Sequence, residues 1–499
     1  MAAPGHAVVI GASIAGLLAA SVLAEVCPQV TVFDRDTLPA GPEPRRGVPQ
    51  GRQLHAMHAR GVRALTELLP GFRDDMVAAG APVGDTQEEA HWYLDDYLLK
   101  PAHSGLEGIA LTRPMLEFLM RSRVAALPAV RITDATDVTG LVTSEGRVTG
   151  VTVRAARTPA AARTPDSAAR TTPAARMPDS AARMPDSAAR MPDSAARTTP
   201  AARTLDAAET VDADLVIDAG GRGSRALTWL GELGYPVPRS SQVRADVTYL
   251  SRFYTRDPAQ LDGRFGGLVT PYPGKPRGGA VIRQEGDRFI VLLAGMVGEE
   301  PPLDEAGMLA YADSLACPDI AAVMRQSTPL GQPVRFTYPS STWHHYEALD
   351  KYLGGFLVIG DALCGLNPIY GQGITVAALE ALTLRRLYDA GAASGAAPGD
   401  LPRRYFREAG KLIGEAWATA ASADLRFPQV EGKRQPGSRL INAYGDKYRA
   451  AASVDPVLGR TFLRVANMID KPTRLLSPGH ILRVLRAAPS ARKTIAHEP

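Results

Sequence analysis

The stretch Gly355-Phe-Leu-Val-Ile-Gly-Asp-Ala-Leu-Cys-Gly-Leu-Asn-Pro-Ile-Tyr-Gly-Gln-Gly-Ile-Thr-Val-Ala-Ala-Leu-Glu380 decides how this chain folds. The apolar run Phe356 to Ile359 reads as a buried strand that stops at Gly360-Asp361. A tight loop follows through Pro368 and Gly371-Gln372-Gly373, and a helix-forming run begins at Ile374. That order sets one carboxylate, Asp361, and the free N–H groups of a helix start around a single point. Glycine lets the backbone approach a flat ligand there, and the helix start favours negative charge. A flat ligand that carries ribityl hydroxyls and becomes anionic on reduction satisfies these groups together. The stretch therefore points to a flavin held by Asp361, Gly371, Gln372, Gly373 and Ile374.

Working outward, the amino-terminal end carries the pattern for the other half of such a cofactor. Ala7 to Ile10 reads as a buried parallel strand, Gly11-Ala-Ser-Ile-Ala-Gly16 as a turn, and Leu17 to Glu25 as a helix. Val30 to Phe33 returns as a strand that ends at Asp34 and Arg35. In a βαβ unit of this kind a pyrophosphate sits on the helix start, here Gly11, Ser13, Ile14, Ala15 and Gly16, and the acid Asp34 accepts hydrogen bonds from ribose hydroxyls. Ser13 stands where the second glycine of the fingerprint is usual. Its side chain must point away from the pyrophosphate or bond to it.

These two patterns, in this order and at these approximate positions, resemble the flavoprotein monooxygenases of the para-hydroxybenzoate hydroxylase and squalene epoxidase type. The likeness covers most of the chain outside one insert. Asp218-Ala-Gly-Gly-Arg-Gly-Ser-Arg225 resembles the family's middle motif, in which an Asp at a strand end serves both cofactor halves. Arg45-Arg-Gly-Val-Pro-Gln-Gly-Arg52 with His55, and the later Arg113, most resemble a bacterial subgroup that includes the epoxidases of polyether ionophore biosynthesis, of the monensin and lasalocid type. The resemblance implies that Arg52 reaches the pyrophosphate and that Arg113 opens a helix beside the flavin. It implies an α/β fold: a Rossmann-like FAD-binding domain (residues 1–75, 105–240 and 346–400), an antiparallel β-sheet substrate domain (76–104 and 241–345) and a helical C-terminal region (401–499).

The activity so implied is insertion of one oxygen atom from O2 into a lipophilic secondary metabolite, with FAD as cofactor and NAD(P)H as reductant. The flavin itself carries the oxygen, at its C4a carbon, so no catalytic side chain is assigned; Cys364 and Tyr370 are the pocket candidates. Common aromatic hydroxylases read Gly-Asp-Ala-Ala-His where this chain has Leu363-Cys364, and carry Asn where it has Thr375. The departures leave the role of Asp361 intact and weaken a phenolic substrate. Alkene epoxidation requires no substrate deprotonation, and the sequence offers no His-Asp or paired-carboxylate base. Epoxidation of polyketide alkenes, as in formation of a polyether antibiotic, is therefore expected first. An aromatic hydroxylase, or a flavin reductase or dehydrogenase acting on a prenyl or polyketide substrate without oxygen, is the alternative. No second nucleotide fingerprint is present, which suits transient nicotinamide docking or a separate flavin reductase as partner.

Composition narrows the classes further. The 499 residues suffice for two or three packed units, and 45% hydrophobic content is ordinary for a globular protein. The net charge of +4 does not announce a polyanionic partner: residues 155 to 208 hold eight Arg against five Asp, which is +3 of it. No nucleic-acid partner is expected. Cys27, Cys317 and Cys364 form no close pair, which fits a reducing cytoplasm. Ala7 to Ala24 is apolar, but no basic residue precedes it and Gly11 and Gly16 interrupt it, so stable membrane insertion is not expected. Neither a monomer nor a dimer is favoured.

The +3 segment is repetitive. Arg-Met-Pro-Asp-Ser-Ala-Ala occurs three times in succession from Arg176, with a decayed copy at Arg163. Proline in each copy and a single large apolar residue exclude a continuous helix or heptad seam, so a low-complexity, disordered surface loop is expected. It separates the strand patterns Arg147–Val153 and Ala213–Asp218, which read as a hairpin. Further strands are expected at Val243–Tyr254, Ala280–Arg283 and Arg288–Ala294, with Tyr249, Phe253, Phe289 and Met296 as candidates to line a pocket. His55 and His58, or His344 and His345, lack the acidic or Cys partners of a metal site, and no metal is expected.

Overall fold

The computed structural model describes residues 4–156, 208–394 and 400–492. Its first layer is a five-stranded, wholly parallel sheet in the spatial order Phe356–Val358, Leu215–Asp218, His6–Ile10, Gln29–Phe33 and Val130–Thr133. Val8 sits opposite Val216 on one side and Thr31 on the other. Strands from four distant parts of the chain thus end side by side. At those carboxyl ends stand the Asp361 turn, the Asp218 turn, the Gly11 turn and Asp34. In open parallel sheets this edge is where ligands bind.

One face of the sheet is covered by the helix Ile14–Leu23 and by the long helix Gly373–Ser394 packed beside it. Ile14–Leu23 is apolar all round because it is enclosed by the sheet, that helix and Arg113–Ala125. On the other side lies a three-stranded antiparallel sheet of Thr136–Ser144, Arg147–Ala155 and Glu209–Asp212. The hairpin expected from sequence differs in its second arm. Glu209–Asp212 pairs with Arg147–Ala155, Gly150 facing Asp212, and only then does the chain cross into the parallel sheet as Leu215–Asp218. The repeat falls outside the described residues, but the strands that flank it are adjacent and antiparallel.

The second large sheet has eight strands, ordered Cys364–Gly365, Pro329–His344, Ser240–Thr255, Arg288–Gly295, Arg277–Gln284, Gly266–Thr270, Ala90–Leu94 and Tyr97–Leu98. It is antiparallel except where Gly266–Thr270 runs parallel to Ala90–Leu94. Period-two alternation divides its side chains. Phe289, Val291 and Leu293 pack under the helices Glu305–Asp313 and Pro318–Gln326, while Leu292, Ala294 and Met296 face a cavity. That alternation removes Phe289 from the pocket. Phe253 does not line it either; the Arg288 guanidinium covers its ring at 4.8 Å. Tyr249 and Met296 do line it.

The expected helical C-terminal region is present as Leu401–Asp424, Ser438–Ala452, Pro456–Ala466 and Pro478–Ala487. Leu401–Asp424 docks on Gly373–Ser394 through Tyr405, Ala409, Ile413 and Ala416. Among the described residues no helix is long and apolar enough to cross a membrane.

Candidate functional site

A cavity of about 2020 Å³ runs from the carboxyl ends of the parallel strands, across the open face of the second sheet, to the C-terminal helices. Its sheet end is built from glycine geometry. Gly11 has φ +100°, and a Cβ there would lie 2.7 Å from the Ala219 carbonyl oxygen. At Gly16 a Cβ would lie 1.8 Å from the carbonyl oxygen of Gly11. Gly16 accordingly packs the turn on its own helix and does not reach the cavity, whereas Gly11, Ser13, Ile14 and Ala15 line it. Among the described residues no side chain caps this helix at Ser13, and its first turn holds no acid, so its leading N–H groups are left for an anion.

Ser13 answers the question raised by its place in the fingerprint. Its Oγ accepts a 2.6 Å hydrogen bond from Arg113 Nη2. Arg113, opening the helix capped by Thr112, also donates to Glu117 at 3.3 Å and lines the cavity. Asp34 lines it as well, but its carboxylate is already engaged. Oδ2 accepts from Ala12 N at 2.7 Å and from Arg45 Nη1 at 3.1 Å, and Oδ1 accepts from Asp36 N at 2.8 Å. Arg45 binds Asp36 and Glu117 in addition. Sequence reasoning missed Arg45, although it stands in the quoted basic stretch; its buried position between three acids comes only from the fold.

Arg52, expected from the resemblance to reach the pyrophosphate, does not line the cavity. The short turn Pro49–Arg52 leaves its side chain in solvent while Gln50 and Gln53 face the cavity. The arginines that do line the cavity near the strand ends include Arg35, Arg45, Arg46, Arg113 and Arg222. Asp218 is nearly inaccessible and serves its own turn, accepting from Gly220 N at 2.8 Å and Ser224 Oγ at 2.7 Å. Burial pushes its carboxyl up, against the pull of those bonds and of Arg225.

Asp361 is open to the cavity yet walled in by protein. Enclosure raises its pKa, and the charges of Arg113 and Arg222 oppose the rise. Behind it Gly360, at φ +67°, donates to Glu380 Oε2 at 2.7 Å; a Cβ on Gly360 would meet that of Ala15 at 2.7 Å. Beyond the turn, Gly371 (φ +64°), Gln372, Gly373 and Ile374 all face the cavity. Among the described residues, a Cβ on Gly373 would meet nothing within 4 Å, and Gln372 Oε1 is buried without a partner. An open helix start, an orphaned amide oxygen and a carboxylate at the strand ends fit a flavin dinucleotide.

The two departures from aromatic hydroxylases have packing explanations. Thr375 is buried against helix Ala59–Leu68, where a Cβ on Gly61 would come within 2.6 Å of its Oγ1. Cys364 does not line the cavity. Its bridge to Trp343 makes it an edge residue of the second sheet, its side chain joins the main core, and burial raises its thiol pKa. Tyr370 does line the cavity and donates to Asp424 Oδ1 at 2.7 Å. His55 and His58 also line it; burial, then the Arg113 charge, pushes His55 down to about 4, so its imidazole is neutral near pH 7. His344 and His345 bond separately to Ser240 and Ser241.

No family model matches the chain. A protein of Mycobacterium tuberculosis, Protein Rv3254, is 30% identical over 503 residues, covering 99% of this chain and 93% of the relative. Similar solved structures include the flavin-dependent halogenase CmlS (17% identity, 93% of this chain and 76% of that one, TM-score 0.58). A flavoprotein/dehydrogenase from Cytophaga hutchinsonii (15% identity, 97% of each chain) reaches a TM-score of 0.61. The p-nitrophenol 4-monooxygenase PnpA of Pseudomonas putida matches at 15% identity, 93% of this chain and 98% of that one, with a TM-score of 0.56. The fold is therefore one found among flavin-dependent halogenases and monooxygenases, and by its near full-length match this chain belongs to the same family as Protein Rv3254.

Proposed function

We propose that the protein binds FAD and is a flavin-dependent monooxygenase that inserts one oxygen atom into an extended lipophilic metabolite. The observation that carries this reading is the convergence of the Gly11 turn, Asp34, Asp361 and the open Gly373 helix start on one end of a large, mainly apolar cavity. Its fold neighbours include a flavin-dependent halogenase and a p-nitrophenol 4-monooxygenase, which agrees with this reading. When bound and reduced with electrons from NAD(P)H, directly or through a separate reductase, FAD supplies the chemistry that activates O2.

The chain's own residues have distinct tasks. The Ile14–Leu23 helix start and Arg113 would receive the pyrophosphate, Asp34 the ribose and Asp361 the ribityl chain. Gly371 to Gly373, at an open helix start, would offer N–H donors that favour negative charge on a flavin held there. Phe336 stacked on Tyr249 at 6.3 Å, together with Met296, supplies an apolar wall that keeps water from the reacting end. Epoxidation of a polyketide alkene is the first reaction within this reading. Hydroxylation of a phenol is the second, favoured by the buried carboxylate Asp424 behind Tyr370. A cytoplasmic site of action, suggested by three buried free cysteines, belongs to the same proposal.

Incubation of the FAD-loaded protein with NADPH, a reductase, O2 and a library of olefinic polyketides should yield products heavier by one oxygen atom. A protein that retains no flavin, or whose reduced form never transfers oxygen, overturns the reading.

A further inference from the structure

The C-terminal wall of the cavity carries two guanidinium groups that nothing in the cofactor assignment uses. Arg426 follows the helix Leu401–Asp424, Arg449 stands in Ser438–Ala452, and both line the cavity. They share the carboxylate of Asp95. Arg426 donates from Nη1 to Oδ1 at 3.1 Å and from Nη2 to Oδ2 at 2.5 Å, and Arg449 donates from Nε to Oδ2 at 2.5 Å. Asp446 Oδ1 accepts from the Nη2 atoms of both arginines. The charges do not balance inside the protein. The side chains of Arg426, Arg449 and Asp95 are 15%, 13% and 9% exposed, whereas that of Asp446 is 60% exposed and its charge is screened by water. Two buried cations therefore face one buried anion.

Helical spacing gathers the rest of the site. Asn442, Gly445 and Arg449, at i, i+3 and i+7, lie on one face of Ser438–Ala452, and all three line the cavity. Among the described residues neither Arg449 Nη1 nor the Asn442 amide makes a hydrogen bond, and neither is sealed from the cavity. Glycine inside a helix costs about 1 kcal/mol relative to Ala. At Gly445 a Cβ would come within 3.1 Å of Arg449 Nη1, so the missing side chain leaves room beside that nitrogen. The surroundings are otherwise apolar. Tyr444 and Tyr448 engage their hydroxyls with the carbonyl oxygens of Leu475 and Leu458, and Phe462 completes the wall.

From this geometry we propose that Arg449 and Asn442 bind the carboxylate of an extended lipophilic acid, whose chain then lies along the apolar wall. The inference rests on the cavity being the substrate pocket of the proposed monooxygenase, and it narrows that reading's lipophilic substrate to acids. A carboxylate supplies the missing negative charge and accepts from both free donors, whereas a neutral ester leaves the surplus positive charge uncompensated. No bond is made or broken at this site; the two residues position the chain. The electrostatics agree. Burial lowers the pKa of Arg449, and Arg426 adds to that, by more than Asp95 and Asp446 restore, as befits a buried cation short of negative charge.

The test is equilibrium dialysis of the oxidised, FAD-loaded protein against dodecanoic acid and against methyl dodecanoate at about pH 7.5, where the acid is ionised. The acid should bind about tenfold more tightly than the ester. Arg449→Met keeps the aliphatic stem and leaves Asp95 in its two-point pair with Arg426. It should remove the preference by weakening the acid alone, with the flavin spectrum unchanged. Lys447→Met takes an exposed charge from the same helix and should preserve the preference. Equal binding of acid and ester, binding of neither, a preference that survives Arg449→Met, or an equal loss in Lys447→Met overturns the proposal. The wild-type comparison decides by itself if Arg449→Met does not fold. Failure of the monooxygenase reading shows separately, as a missing flavin spectrum or absent oxygen transfer, neither of which the dialysis reads.

Discussion

Two glycines near the parallel-sheet ends differ in what a side chain would meet, and they separate folding from the ligand binding proposed there. A methyl group on Gly16 would overlap the Gly11 carbonyl oxygen, so Gly16→Ala should give protein that is insoluble or melts far below the wild type. A side chain on Gly373 enters open space. Gly373→Leu should melt within a few degrees of the wild type yet lose flavin, measured by the absorbance of the purified protein. Glu380 gives a pH-dependent counterpart. It is fully buried, and burial pushes its carboxyl from the ordinary 4.5 up to about 8, offset in part by Gly360 N–H and reinforced by Asp361. The folded state therefore binds more protons than the unfolded state between these values, and stability falls as pH rises through that window, by at most about 1.4 kcal/mol per pH unit. Glu380→Gln keeps an acceptor for Gly360 and should flatten this slope, seen by comparing urea unfolding at about pH 5 with about pH 8.

At the scale of elements, the antiparallel pair Arg147–Ala155 and Glu209–Asp212 explains how the chain carries a long repetitive insert. Val153 faces Glu209, so the two ends joined by the insert lie across one strand spacing, and a short turn can span them. Replacing residues 157–206 with a short turn should leave flavin content and melting temperature within experimental error of the full chain. Loss of flavin in a soluble deletion would show that the repeat contributes to the site. Strand alternation explains the mixed outcome for the predicted pocket residues. Tyr249 and Met296 face the cavity, while Phe289 lies on the opposite face of the sheet, a difference that period two dictates once the register is known.

On the scale of the whole molecule, the cavity joins three regions: the parallel-sheet ends, the open face of the second sheet, and the C-terminal helices, which contribute Tyr444, Phe462 and Leu475. That third wall lengthens the cavity, which is what the proposed extended lipophilic substrate would require. Phe462→Ala and Leu475→Ala should leave the flavin spectrum unchanged and weaken binding of long substrates by about 2 kcal/mol or more, roughly thirtyfold, with little effect on short ones. The salt bridges of Asp95 to Arg426 and Arg449 tie these helices to the second sheet.

Read from the residues alone, the local grammar of the turns at the parallel-sheet ends was already present. The turns at Gly11 and Gly360-Asp361 and the helix start at Gly373 were legible because each follows an apolar strand pattern and precedes a helix pattern, and glycine marks the positive-φ positions of such turns. The α/β class was legible in the strand-turn-helix-strand pattern of Ala7 to Phe33, and the helical C-terminal region followed from the family resemblance. Only the tertiary structure decided which arginines face the cavity, because Arg45 and Arg52 stand in one basic run and a single turn sends one inward and the other to solvent. It alone revealed Asp424, an unremarkable acid at a helix end, 54 residues from Tyr370 in sequence yet bonded to it. A carboxylate's surroundings set its basicity, and those surroundings do not exist until distant segments pack.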